Sequence, residues 1–233
     1  MQKRQNEWYY QWRYLSDDSL FLFKEWIYPN TLENFKNKNV LDCGCGSGQH
    51  INFISPYADK IVGVDLNTSD IATMNLNEEF VGVIHHTDDP EKSFNNIVKH
   101  VKKGGKIIIW IYSFEGNYLN RTLVEFLKRI FFLKIPKKIL QVFAYIITFL
   151  LYFPIYSFYL LPLRKLPFYL YFRNWRKLNF YRNFLNVFDK LNAPQTFFIK
   201  KTTVEKWFDK NVFKNIHISS YNGVSWRASG IKI

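Results

Sequence analysis

The sequence predicts an α/β fold: a mostly parallel sheet closed by a C-terminal antiparallel hairpin and interrupted by an inserted helical subdomain. Three observations predict it. Short apolar strands alternate with helix-length stretches as far as residue 112, a rhythm that implies parallel pairing. A glycine run, Asp42-Cys-Gly-Cys-Gly-Ser-Gly48, stands between the first strand and the helix after it. From Leu119 to Arg182 the rhythm gives way to a stretch dense in Phe, Leu, Ile and Tyr that reads as helical.

Taken in chain order, Glu7 to Phe35 is crowded with aromatic residues at mixed three- and four-residue spacing, which predicts one or two short helices ending near Pro29. Asn39–Leu41 reads as a short buried strand and Gln49–Tyr57 as a helix. Lys60–Asp65 and Phe80–Ile84 read as the second and third strands. Asp89–Lys102 has the pattern of an amphipathic helix, with Asp88 or Asp89 placed to cap it ahead of Pro90. Lys103-Gly-Gly105 turns the chain into a fourth strand, Lys106–Tyr112. After the helical stretch, Thr202–Asn211 reads as a helix and Phe213–Ser220 and Val224–Ile233 as strands. No helix separates that last pair, so a hairpin through Asn222-Gly223 is expected. The expected organisation is therefore aromatic N-terminal helices (1–38), a nucleotide-binding core (39–118), a hydrophobic and basic helical lid (119–200), and a helix with two strands completing the core sheet (201–233).

With 48% hydrophobic residues in 233, the chain can bury a real core, which excludes a disordered polypeptide. Met1–Asp18 is polar and aromatic and does not read as a secretion signal. Cys43 and Cys45 are the only cysteines. Their spacing would strain a disulfide, and two thiols alone make a poor metal site, so free thiols in the cytoplasm and no metal are expected. The net charge of +13 is unevenly spread. Residues 1–120 carry 12 Lys and Arg against 15 Asp and Glu, whereas residues 121–233 carry 20 against 4. Such asymmetry suits an anionic partner of the second half, or reflects compositional bias alone.

Glycines at 44, 46 and 48, directly after a strand and before a helix, allow the tight turn and close backbone approach that a ligand needs. Asp42 closes the first strand and Asp65 the second, where an acid can accept bonds from both ribose hydroxyls. The spelling Val40-Leu-Asp-Cys-Gly-Cys-Gly-Ser-Gly48 resembles the first motif of class I S-adenosylmethionine (SAM) dependent methyltransferases. Val62-Gly-Val-Asp-Leu66 resembles their second. Gly82-Val-Ile-His-His-Thr87, Asp89-Pro-Glu91 and Lys103-Gly-Gly105 resemble the fourth strand and the turn into the fifth in members acting on small molecules. The resemblance spans roughly Val40–Tyr112 and implies a Rossmann-like sheet with SAM as cofactor. It implies that Gly44, Gly46 and Gly48 line the methionine part of SAM, that Asp42 sits near its amino group, and that Asp65, with Leu66 beside it, holds the ribose. Ile84 and His85 then lie beside the sulfonium. One departure stands out: Asp65 and His85 are only about half as far apart as in the family. That leaves little room for the intervening helix, strand and acidic turn that contacts adenine, a loss of roughly 1–3 kcal/mol of binding.

Methyl transfer from a sulfonium is an in-line displacement, accelerated largely by alignment. A base is needed where the acceptor loses a proton, and His85 and His86 are the catalytic candidates by residue type and position. The (D/N)-P-P-(Y/F) segment of enzymes acting on nucleic-acid bases is replaced here by I-H-H-T, which weighs against nucleic acid as partner and for a small-molecule acceptor. Ile139–Leu163 carries no charge and is long enough to cross a bilayer. Strands of one sheet precede and follow it, however, so a single crossing is excluded, and the run is too short for two. Three readings remain: a lid over a lipophilic substrate or resting on the inner face of a membrane through residues 134–182, a plain packed insertion, and a membrane hairpin. The expectation is a cytoplasmic SAM-dependent methyltransferase acting at oxygen or carbon of a lipophilic or anionic acceptor. The alternative is a weak or inactive relative that binds a membrane or a protein partner.

Overall fold

A computed structural model describes residues 9–11, 13–15, 19–64 and 89–233. The expected strand Phe80–Ile84 lies outside the described residues, as do Asp65, Leu66, Ile84, His85, His86 and Asp88.

The strands are β1 (Asn39–Cys43), β2 (Lys60–Val64), β3 (Lys106–Tyr112), β4 (Phe213–Tyr221) and β5 (Ser225–Lys232). The helices are α1 (Leu20–Ile27), α2 (Gln49–Ile54), α3 (Pro90–His100), α4 (Glu125–Ile130), α5 (Lys137–Ile155), α6 (Tyr169–Trp175), α7 (Phe180–Asn192) and α8 (Lys201–Trp207). Boundaries differ from the expected ones by a few residues. The helix after the glycine run stops ahead of Pro56, which has no N–H to continue it. Asp89 is the cap of α3: its carboxylate accepts from the Lys92 N–H at 3.0 Å, with Pro90 in the first turn.

Among the described residues the strands form two sheets. β1 and β2 pair in parallel, with Cys43 opposite Val64. The other sheet has the order β3-β5-β4 and is antiparallel throughout. Among the described strands parallel pairing is thus that of β1 with β2, and the last strand, β5, lies between β3 and its own hairpin partner β4. The hairpin turn falls where the sequence places it. Asn222 (φ 52°) and Gly223 (φ 73°) both adopt the left-handed conformation that a type I′ turn requires, and the Val224 N–H donates to the Tyr221 carbonyl at 3.2 Å.

β1 is half-buried rather than buried. Strand alternation sends Val40 into a cluster with Phe23 and Ile27 of α1, Ile54 of α2, Ile61 of β2 and Ile108 of β3, while Leu41 on the other face is exposed. α1 thus covers one face of both sheets. The opposite face of β3 (Ile107, Ile109, Ile111) packs with Phe94 of α3, Val204 and Trp207 of α8, and Phe213 of β4. There Phe94 stacks on Trp207 at 5.2 Å.

The stretch from residue 119 is helical, as expected, and builds its own core. Leu140, Ala144 and Ile155 of α5 meet Trp175 of α6 and Phe184, Phe188 and Leu191 of α7. α5, 19 residues long, ends one residue past Pro154, so the uncharged run Ile139–Leu163 is helical only as far as Ile155 and then turns. Tyr10 and Leu15 belong to this core as well. Leu15 packs in it, and the Gln141 amide donates to the Tyr10 hydroxyl at 3.1 Å.

Candidate cofactor and acceptor site

The site is built at the carboxyl end of β1. The chain leaves the strand at Cys43 and reverses through residues 44–48, all buried, before α2 begins at Gln49. Gly44 (φ 122°), Gly46 (φ 53°) and Gly48 (φ 80°) all take positive φ, a region where a Cβ is strained and which at 122° is almost closed to other residues. The loop closes on itself through the Gly48 N–H, which donates to the Cys45 carbonyl at 3.0 Å. The parallel register sets Cys43, which follows Asp42, opposite Val64 at the end of β2.

Asp42 lies 3.9 Å from Nδ1 of His50 in the first turn of α2. The His50 ring stacks on Phe23 at 4.9 Å and meets Trp26 edge-on at 5.7 Å. Burial, and secondarily the positive charge of Arg182, lower its pKa to about 4, so the imidazole is neutral at pH 7. Burial, reinforced by Asp42, raises the Cys43 thiol to about 11. Neither cysteine forms a disulfide. Cys43 is therefore expected to resist alkylation in the native protein at neutral pH. Its thiolate fraction is about a hundredfold below that of an ordinary thiol, and mass mapping after a brief iodoacetamide pulse should find it modified only once the chain is unfolded.

A chain of aromatic contacts leads from His50 to the lid. Trp26 lies 5.1 Å from Trp110 of β3, and Trp110 lies 5.1 Å from Tyr112, two residues along the same face. The Tyr112 hydroxyl donates to Asp189 of α7 at 3.2 Å, and the Gln11 amide donates to the other oxygen of that carboxylate at 3.1 Å. Burial, then the Asp189 charge, push the Tyr112 pKa well above its ordinary value, so it stays a donor. The Lys190 ammonium lies 5.8 Å from the Tyr112 ring centre. N-terminal segment, sheet and lid are thus tied together by one half-buried carboxylate.

Beside this junction is a cavity of about 10 Å³ bordered by Tyr112, Glu125, Asp189 and Thr196, room for one water at most. A more open groove of about 590 Å³ runs between Leu15, Gln141, Val142, Tyr145, Phe180 and Phe184. Neither is lined by the glycine loop.

The structure places Asp42, Gly44, Gly46 and Gly48 together at the end of β1. The remaining sequence-derived site residues, Asp65, Leu66, Ile84, His85 and His86, lie outside the described residues. Sequence reasoning missed His50, Trp26, Trp110, Tyr112, Arg182 and Asp189. Two signals pointed to some of them: polar-edged aromatics at period two ending β3, and a histidine one turn past the glycine run.

A glycine-lined reversal at the carboxyl end of a parallel strand is the arrangement of α/β proteins that bind a ligand outside their strand ends. Residues 8–113 match a family model described as a methyltransferase domain. The match stops at the end of β3, before the helical lid begins. No curated protein matches the chain.

Proposed function

We propose that this protein moves a methyl group from SAM to oxygen or carbon of a small, lipophilic or anionic acceptor held between the glycine loop and the helical lid. The observation that carries this reading is the run of three positive-φ glycines at the end of β1, inside the stretch that matches a methyltransferase domain. The loop backbone at Gly44, Gly46 and Gly48 fits the methionine part of SAM, with Asp42 beside its amino group. Asp65 and Leu66 serve the ribose, and Ile84 lies beside the sulfonium. When bound, SAM supplies an electrophilic methyl group. The residues of this chain then align the acceptor and exclude water from it. His85 and His86 are assigned as the groups that take a proton from a hydroxyl acceptor. Neutral His50, under Phe23 and Trp26, and the aromatic wall of Trp110 and Tyr112 suit an apolar acceptor. Arg182, whose charge reaches both His50 and Tyr112, suits a carboxylate or phenolate on it.

Calorimetric titration with SAM tests the reading. Micromolar binding is expected for the natural chain, weakened about tenfold to a hundredfold by Asp65→Ala, which removes a charge-assisted bond to the ribose. A folded sample that binds no SAM at millimolar concentration overturns it. That outcome favours the second reading, a methyltransferase fold kept without activity, for which the short Asp65–His85 segment speaks.

A further inference from the structure

Helix α5 is inverted relative to an ordinary surface helix. One face (Leu140, Ala144, Thr148, Ile155) is completely buried against the lid core. The opposite face carries Val142, Tyr145, Ile146, Phe149, Leu150 and Phe153, spaced at three and four residues and all exposed to solvent. Phe149 is 67% exposed and Phe153 73%. The most apolar 18-residue stretch of the helix has a mean hydropathy of 1.8, yet only 22% of it is buried, the reverse of what a core helix of this composition shows. The patch continues past the helix through Phe158, Leu160 and Leu161, and on its other side through Phe131, which packs edge-on against Phe143 at 5.6 Å. A continuous apolar surface of this kind marks a docking site.

Charge selects the occupant. Between residues 126 and 188 the chain carries eleven Lys and Arg and no Asp or Glu. Lys134 and Lys138 are exposed at one end of α5, and Arg164 and Lys165 are exposed beyond the other. A second copy meeting this face symmetrically would set those cations against themselves. An anionic lipid surface neutralises them, at about 1 kcal/mol for each cation near the headgroups, while its acyl boundary takes the phenylalanines. Crossing the bilayer is a different matter. The buried face of α5 is held to α7, where Asn183 donates to the Tyr152 hydroxyl at 3.0 Å and Asp189 binds Tyr112 of the sheet. The strands before and after the lid, β3 and β4, lie in one sheet, so one pass is excluded.

We infer that the exposed face of α5 lies in the headgroup layer of an anionic membrane, with Phe149, Leu150 and Phe153 inserted and the flanking Lys and Arg residues on lipid phosphates. The inference stands independently of the catalytic reading.

Co-sedimentation of the full chain with vesicles tests it, comparing pure phosphatidylcholine with mixtures containing about a third phosphatidylglycerol, a charge density that attracts basic segments. The expected result is binding that is about tenfold stronger to the anionic vesicles and reduced by high salt. Phe149→Glu with Phe153→Glu should abolish it, while the melting temperature and the SAM titration stay unchanged because both side chains are exposed. Absence of wild-type binding, or equal binding by the double variant, overturns the inference. Resistance of membrane-bound protein to alkaline carbonate also overturns it, in favour of a spanning hairpin. A wild-type dimer that the double variant converts to monomer, without vesicle binding by either, assigns the face to a second copy instead.

Discussion

Gly44→Ala is expected to weaken SAM binding by at least about a hundredfold while leaving the protein folded. At φ 122° the residue sits where an L side chain meets its own carbonyl, and strain of this kind costs roughly 1–3 kcal/mol. The strain is relieved when the backbone at Gly44 swings into an allowed region. The swing moves the surface that the cofactor must approach. Affinity is therefore lost chiefly through displaced geometry, with stability falling only by the strain. Gly104→Ala is the control. It has a positive φ of 79°, and an added Cβ would find nothing within 4 Å. It should lower the melting temperature comparably and leave SAM affinity alone. Calorimetry on the two variants separates the effects, and equal affinities in both would show that the glycine loop does not form the cofactor site.

The second large effect is expected in the lid. The Lys128 side chain is fully buried, its ammonium bound to the Glu125 carboxylate and 3.3 Å from the Thr196 hydroxyl. Burial pushes the Lys128 pKa down, and the Glu125 charge works against that shift. Glu125→Leu leaves the buried ammonium with the neutral Thr196 hydroxyl and only the weaker influence of the Asp189 charge, a loss of about 3–5 kcal/mol. That is a large share of the roughly 5–15 kcal/mol that holds a typical domain folded. The transition should fall by on the order of 10 °C in a chain of this size. Glu125→Leu combined with Lys128→Met should recover most of the loss, since two apolar side chains need no pairing. A thermal melt of the three proteins reads the result. A double variant no more stable than Glu125→Leu alone would mean that packing volume, rather than an orphaned charge, sets the cost.

Much of the cofactor loop was legible because its causes are local. Three glycines between a strand and a helix announce a backbone with positive φ, whatever surrounds it, and all three take it. Asp89 before Pro90 caps its helix because a carboxylate two or three residues from unpaired N–H groups has few better partners. Asn222-Gly223 makes the hairpin because those residues tolerate left-handed φ at little cost. The aromatic wall beside the glycine loop was not legible. His50, Trp26, Trp110, Tyr112 and Asp189 come from four separate segments, and each taken alone reads as an ordinary aromatic or capping residue.

Local chemistry in the sequence thus determined the glycine loop, the helix cap, the hairpin and the alternation of strands with helices. Only the tertiary structure decided that β5 lies between β3 and β4, and that Asp189 of the lid joins Gln11 and Tyr112. It also decided which face of α5 is exposed. The run Ile139–Leu163 is apolar on every side, so its periodicity holds no information about orientation. Burial was assigned by the partner, α7, whose Phe184, Phe188 and Leu191 cover one face of α5 and leave Phe149 and Phe153 in solvent.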